Sequence, residues 1–502
     1  MKKSIAHICL EMYLGLVSFA GVQGMSPNII IVQPDDLPFF DAWTPPPNNP
    51  VDDATNSFPN GYALKNIERL RKQGLEMKQA YTVSPACGTS RFSTITGRYP
   101  SRSGYSRDIN TGLDISKVTI PTTKLEDVVG HSDCTKDNMA VEFRSNGYRT
   151  GVVGKWHLSN IRNEAYSYPK FQTLVRECGF DFADALYMEN LGSYSDGSFS
   201  HNMEWVTYKG IEFIEESIAE EKPFFLYFNP TVPHSSGNVK EALLDFKCTD
   251  TANGQLDTEP DIVGMTTAYG SCEAYRRTIF DRAGELESNA ELGAIWVDDG
   301  IGALIRTLED YDELNNTIFV FQMDHGIETK MALFENGNRI AQFVHYPDAF
   351  GTEGKTFEGL VQTIDLAPTL LDYAGIAAEY ETDGESWIDA VLDETAESTW
   401  RDERCLLFEF QYDRSVRCGC EKLTTMDGAG STTRRTGNRL GYPVADDTYY
   451  NLCDSVTGAN PEGTDLSTSE PEQVARLADV LDCFLKKTSP SSEADYSTAC
   501  TL

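Results

Sequence analysis

The first patterned stretch, NIIIVQPDDL, runs apolar without a break from Ile29 to Val32 and then turns polar. An apolar run of β-branched residues reads as a parallel strand buried on both faces, with its functional residues at the C-terminal edge. The same shape recurs in TGVVGKW (150–156), KPFFLYFNPTVPH (222–234) and NTIFVFQMDHG (316–326), each ending in Gly, Pro, Asp or His. Helical spacing lies around and between them: Leu64, Ile67 and Leu70 ahead of Gly74, then EWVTYKGIEFIEESIAE (204–220) and GAIWVDDGIGALIRTLEDY (293–311). LVQTIDLAPTLLDYAG (360–375) also reads as a helix. Strands alternating with helices predict an α/β fold with a large, mostly parallel central sheet flanked by helices. Its ligand site is expected beyond the carboxyl ends of the strands. Farther on, the shorter strands RCLLFEFQY, SVRCGCEKLTTM and DTYYNLCD and one amphipathic helix, PEQVARLADVLDCFLKK, predict a smaller C-terminal α+β subdomain. The expected division is a leader over 1–24, a main domain over 25–385, the subdomain over 386–488 and a flexible Ser-, Thr- and Ala-rich tail over 489–502.

Charge narrows the partners. Against 42 basic side chains stand 77 acidic ones, a net charge of −35 that repels nucleic acid and anionic membrane surfaces. The start has Lys2 and Lys3, then an apolar stretch ending in small residues near Ala20, the layout of a secretory signal, although Glu11 interrupts it. No other segment is apolar for long enough to span a bilayer. The expected location is therefore secreted, extracellular or within an endomembrane lumen. Twelve cysteines fit that setting: with Cys9 and Cys87 set aside, ten remain for bridges in an oxidising compartment. Cys418-Gly-Cys420 lacks the second close pair a zinc site would need, so it too reads as disulfide or structural thiol.

Candidate chemistry sits where the apolar runs end. Asp35-Asp36 follows the first strand; adjacent carboxylates repel and are tolerated best around a hard cation, although an acidic turn or cap uses the same pair. Asp324 and His325 offer a second acidic strand end in the same topological position, so the two ends can meet at one ion. In GYRTGVVGKWHL (147–158), Lys155 can hold an anion and His157 can move a proton near neutral pH, with a plain basic loop as the alternative. His234 follows a rigid proline beyond a strand, and Lys330 lies six residues after Asp324. The stretch SPACGTSRFSTITGRYPSRSG (84–104) holds Cys87 four residues ahead of Arg91, on one face if a helix starts there, so that the guanidinium can brace a nucleophile. Core packer, half of a disulfide, or raw material for a nucleophile: on these residues alone, all three remain open for Cys87.

CGTSRFSTITGRYPSRSG resembles the first signature of the formylglycine-dependent (type I) sulfatases of the alkaline phosphatase superfamily. That signature runs Cys, any residue, Pro, any residue, Arg, then Thr-Gly and a later Gly, met here by Thr96-Gly97 and Gly104. GYRTGVVGKWHL is similar to the second signature. Asp35-Asp36, KPFFLYFNPTVPH, MDHGIETKMALFENGNRIAQFVHYP and LVQTIDLAPTLLDYAG follow in the family's order, across residues 26–385.

The resemblance implies the alkaline-phosphatase-like sulfatase fold, a catalytic main domain and hydrolysis of sulfate monoesters. It implies that a formylglycine-generating enzyme oxidises Cys87 to Cα-formylglycine. The hydrate then presents two hydroxyls on one carbon, one to attack sulfur and one to expel sulfate. It further implies that Asp35, Asp36, Asp324, His325 and the modified Cys87 ligate a divalent ion, calcium foremost. Lys155, Lys330 and His234 would bind sulfate and stabilise or protonate the leaving oxygen, and His157 would be the base that unseats the sulfate. The expected substrate is a sulfated small molecule or carbohydrate. Three positions depart from the pattern: His325 replaces the Asn of many members, Asn336 replaces a common Gly, and Thr89 stands where the maturation machinery expects Pro. Two alternatives share the same residues: a phosphodiester or phosphonate monoester hydrolase of the superfamily, and an inactive sulfatase-like protein that binds anions without converting Cys87. The insert 43–61 and the segment 235–275 are expected to shape substrate choice.

Overall fold

The structure, a computed structural model, describes residues 26–38, 64–103, 134–158, 167–190, 193–194, 199–234, 238–284, 288–411, 413–426, 431–442, 444–453, 462–488 and 498–501. The leader, the insert 43–61, Gly104 and the tail apart from 498–501 lie outside the described residues.

Fourteen strands are described: β1 (Asn28–Val32), β2 (Leu75–Tyr81), β3 (Arg149–Lys155), β4 (Phe182–Tyr187), β5 (Phe224–Asn229), the short hairpin β6 (Asp250–Thr251) and β7 (Gly254–Gln255), β8 (Thr317–Gln322), β9 (Arg339–His345), β10 (Lys355–Gln362), β11 (Cys405–Phe410), β12 (Asp413–Cys418), β13 (Glu421–Thr425) and β14 (Asp447–Asn451). Eight form the central sheet in the order β10-β2-β9-β8-β1-β5-β3-β4. Only β9 runs antiparallel, against both β2 and β8; every other pairing in that sheet is parallel. The apolar runs explain the centre: Ile29, Ile30, Ile31 and Val32 have no exposed surface and are sandwiched between β5 and β8, themselves wholly buried. Val32 stands opposite Phe228 on one side and Phe321 on the other, which brings the carboxyl ends of β1, β5 and β8 to one edge. The parallel alignment of β3 with β5 adds a fourth end there.

Helices Met203–Ala219 and Asn289–Asp310 bury long apolar faces at the sites their periodicity predicts. The stretch 360–375 departs from its helical reading. Its first three residues complete β10, with Leu360 and Val361 paired to Gln79 and Ala80 of β2, and the helix begins only at Leu366. Asp365 sets the break by accepting the Gln362 N–H at 2.6 Å. An apolar run of this length does not itself distinguish strand from helix; pairing with β2 decides it.

The C-terminal sheet is an antiparallel meander, β11-β12-β13-β14, covered by helix Pro471–Lys487 through Leu477, Val480, Leu481 and Phe484. SVRCGCEKLTTM forms two of its strands, folded back at Gly419 with φ 53°, a left-handed turn that glycine adopts freely. Residues 394–402 still cover the large sheet, with Trp400 edge-on to Phe357 at 6.2 Å. Ten cysteines pair as 134–178, 248–272, 405–418, 420–453 and 483–500. Cys418 and Cys420 therefore cross-link different elements, and Cys500 ties the described end of the tail to the last helix. Among the described residues Cys87 alone is unbridged, and no helix is long and apolar enough to cross a membrane.

Candidate active site

Beyond the edge where the strand ends converge, helix α1 (Lys65–Gln73) and β2 lead to Cys87, the first residue of helix α2 (Cys87–Thr96). Ala86 is extended, so the helix starts abruptly, and Gly97 closes it in a left-handed conformation with φ 67°. Cys87 and Arg91 are one helical turn apart on the same face, as their spacing requires. Arg91 is fully buried beneath the site: Nη2 donates to the Gln33 carbonyl at 3.3 Å and lies 3.6 Å from Asp35 and 3.9 Å from Asp324.

The two aspartates after β1 diverge. Asp35 is fully buried and accepts from Lys155 Nζ at 2.6 Å and from the Asn190 side-chain amide. Asp36 takes a left-handed turn, φ 56°, which sends its carboxylate toward Lys330 Nζ at 2.7 Å, His325 Nε2 at 3.3 Å and His234 Nε2 at 3.4 Å. Its backbone N–H donates to Asp324 Oδ1 at 3.2 Å, directly tying the ends of β1 and β8. Cys87 Sγ stands between them, 3.4 Å from His325 Nε2 and 3.4 Å from Lys330 Nζ. Gly154, with φ 87°, precedes Lys155 where a Cβ would strike the Asn229 carbonyl; a bare backbone lets β3 close on β5 there.

Electrostatics follow from burying so many charges together. Burial pushes the Asp35 carboxyl up, but Lys155, His234, Arg91 and Lys330 outweigh it and hold it well below its ordinary value. For Asp324 burial prevails, reinforced by Asp35 and Cys87 against His325 and Arg91, and its carboxyl is pushed well up. Burial lowers His325, yet the adjacent Asp324 more than offsets this and raises it to about 9. Burial and Asp35 push the Cys87 thiol up; Lys155 and His325 outweigh them and lower it. His157 departs from the near-neutral titration expected of it: burial and then Lys155 drive it down to about 3. It is thus a neutral imidazole at physiological pH, with Glu189 3.9 Å away.

A cation fits this set. Ligand atoms of Asp36, Cys87, Asp324 and His325 lie within 4.8 Å of one another, and a second group, Asp35, Cys87 and His234, shares the cysteine. Asp35 Oδ1 and Asp324 Oδ2 are buried without a hydrogen bond, an expensive state that an ion relieves. The His325 Nδ1 contact with the Gly326 carbonyl at 3.0 Å turns Nε2 toward the carboxylates. The third cluster of potential ligands, Glu204 with Cys248 and Cys272, is no metal site, because its cysteines are bridged to each other.

All ten residues singled out from the sequence, Asp35, Asp36, Cys87, Arg91, Lys155, His157, His234, Asp324, His325 and Lys330, therefore belong to one neighbourhood. Sequence reasoning missed Asn190 and Glu189, which follow β4. The signal was present, a strand running into polar residues, but Ala183, Asp184 and Ala185 blur the apolar run of FADALY. Asn190→Leu removes a donor from Asp35 and is expected to lower turnover at this site by about 10- to 100-fold, the usual scale for a residue that orients a ligand. Steady-state kinetics on the folded variant would test it. Asn336 lies in the short helix Glu335–Asn338 with negative φ, so its substitution for glycine requires no left-handed geometry.

Comparisons with known proteins agree with this arrangement. A family profile described as Sulfatase matches residues 27–376. An arylsulfatase of Clostridium perfringens is 26% identical over 383 residues, 67% of this chain and 74% of that protein. An ulvan-active sulfatase of Formosa agariphila is 25% identical over 340 residues, 64% of this chain and 58% of that protein. Among solved structures, a protein in complex with its substrate D-glucosamine-2-N,6-O-disulfate has a TM-score of 0.61 at 16% identity, covering 93% of this chain and 99% of that one. Members of this family in general use a metal and a formylglycine-modified cysteine. The fold, the converged strand ends and the match over most of the main domain together identify the chain as a member of the sulfatase family, enzymes that hydrolyse sulfate esters.

Proposed function

We propose that the protein hydrolyses sulfate monoesters of a carbohydrate or small-molecule alcohol at Cys87, after oxidation of that residue to formylglycine. The observation that carries the reading is the position of Cys87 Sγ, within 3.4 Å of both His325 Nε2 and Lys330 Nζ at the start of a helix, beside Asp36 and Asp324. Oxidised and hydrated, residue 87 would supply two hydroxyls on one carbon, one to attack sulfur and one to release sulfate. Asp35, Asp36, Asp324 and His325 would hold a divalent ion, calcium foremost, which would polarise sulfate oxygens and favour ionisation of the attacking hydroxyl.

The remaining roles follow from charge and access. Lys330, one quarter exposed, and Lys155, buried, present ammonium groups to a tetrahedral anion above residue 87. Arg91 stays charged beneath α2 and braces the nucleophile's surroundings. His234, lowered by burial and so favoured as a neutral imidazole, lies 3.4 Å from Asp36, where it would stabilise the leaving oxygen through a hydrogen bond. His157, neutral, can take the proton whose removal unseats the sulfate, and Glu189 nearby stabilises the charge it then acquires. Conversion of Cys87 calls for a formylglycine-generating enzyme, and the five disulfides support maturation in a secretory or luminal compartment. Thr89, in the position of the motif's proline, donates its hydroxyl to the Ala86 carbonyl at 2.9 Å in the first turn of α2.

Two measurements test the reading. Mass spectrometry of the peptide spanning Ala80 to Arg91, from protein made with the generating enzyme, is expected to show oxygen in place of sulfur at residue 87. The matured protein is expected to hydrolyse an aryl sulfate far faster than an aryl phosphodiester. The reverse preference would move the chemistry to phosphorus, and an unmodified thiol without turnover would leave an anion-binding protein.

A further inference from the structure

We propose that the C-terminal subdomain sets the position of Lys330, with Lys422 of β13 and Thr433 of the helix Thr432–Leu440 as positioning residues for the anion pocket. The inference rests on the reading of Lys330 as an anion-holding group. Lys330 is carried by an irregular segment between β8 and β9, and a long side chain on such a segment is only as well placed as the backbone beneath it. The next residue, Met331, has φ 67°, a left-handed conformation that disfavours any side chain and persists only where its surroundings impose it.

Those surroundings come from two directions. On the catalytic side the Met331 N–H donates to the Pro85 carbonyl at 2.8 Å, two residues ahead of Cys87. On the other side the C-terminal subdomain grips the chain from Leu333 to Glu335. The Leu333 N–H donates to Thr433 Oγ1 at 3.2 Å, Phe334 packs edge-on against Tyr442 at 5.0 Å, and the Glu335 N–H donates to Glu462 Oε1 at 2.6 Å. Lys422 Nζ closes the clamp, 3.0 Å from Glu335 Oε1 and 3.0 Å from Glu462 Oε1, while Tyr81 at the end of β2 donates to Glu335 Oε2 at 2.8 Å. Thr433 and Lys422 have no exposed surface, and Glu462 has 1%. A charged cluster buried this deeply adds little net stability compared with apolar packing. Its value here is geometric: it fixes backbone groups within five residues of Lys330, and through Pro85 it fixes them relative to Cys87.

Inorganic sulfate, titrated calorimetrically into the full-length protein in calcium buffer, tests the proposal alongside thermal unfolding of each variant. Lys330→Met is the reference for losing the anion-holding group. Lys422→Met and Thr433→Val are each expected to weaken sulfate by about tenfold, because small displacements of a binding group carry penalties of that size. Thr433→Val removes one hydrogen bond and no charge, so it decides the matter if Lys422→Met does not fold. A purely structural role would lower the unfolding temperature and leave the sulfate affinity of the folded protein alone. The proposal is overturned if Lys330→Met weakens sulfate while Thr433→Val, and Lys422→Met where folded, bind it within about twofold of the parent. Parent-like affinity in Lys330→Met would instead overturn the anion-pocket reading, and the brace with it.

Discussion

Cys87→Ala is expected to remove aryl sulfate turnover almost entirely, by roughly a millionfold, the scale on which deletion of a nucleophile acts in other hydrolases. The fold is expected to survive. Cys87 is the first residue of α2, where alanine is a good helix former, and the helix is held through Arg91, Phe92 and Ile95, all with no exposed surface. Losing a single sulfur beside polar groups opens little apolar cavity, so the unfolding temperature is expected to stay within a few degrees of the parent. The two readouts separate two roles. A core packer would register in stability and leave residual catalysis, whereas a nucleophile registers in turnover alone. Full activity in the folded alanine variant would end the assignment of chemistry to residue 87.

The site was legible in the sequence to the extent that it lies at the ends of continuous apolar runs. Asp35, Lys155, His234 and Asp324 each follow such a run, and parallel pairing carries all four ends to one edge without any further information. Cys87 converges there for a less visible reason. β2, LEMKQAY, mixes polar and apolar residues and shows no clean period; its direction follows from two antiparallel pairings through β9, which are properties of distant segments. Asn190 escaped notice because β4 did. The disulfide pairs were hidden for the same reason as the register: which cysteines meet depends on the finished fold. His157 shows a different limit. Its residue type suggests titration near neutrality, whereas burial and then the neighbouring Lys155 push it down, a consequence of the finished fold.

The largest stability effect is expected away from the catalytic edge, at Arg276→Met. Arg276 and Glu204 have no exposed surface and form a two-pronged pair, Nε to Oε1 at 2.9 Å and Nη2 to Oε2 at 2.7 Å. The same guanidinium donates to the carbonyls of Ala242 at 2.7 Å and Asp245 at 2.6 Å and lies over the Trp296 ring at 4.8 Å. One side chain thus ties helices Met203–Ala219, Cys272–Ala283 and Asn289–Asp310 to the segment around 242–245. Methionine fills much of the volume but strands a buried carboxylate, for which the expected loss is about 3–5 kcal/mol, against a total stability of about 5–15 kcal/mol for a typical domain. Thermal unfolding should therefore fall by about 10 °C. If desolvated charge is the cause, adding Glu204→Leu to Arg276→Met should recover part of the loss, because the carboxylate leaves with its partner. Recovery should stop short of the parent, since the Ala242 and Asp245 carbonyls still lack their donor. A double variant no more stable than Arg276→Met alone would assign the loss to packing around Trp296 instead.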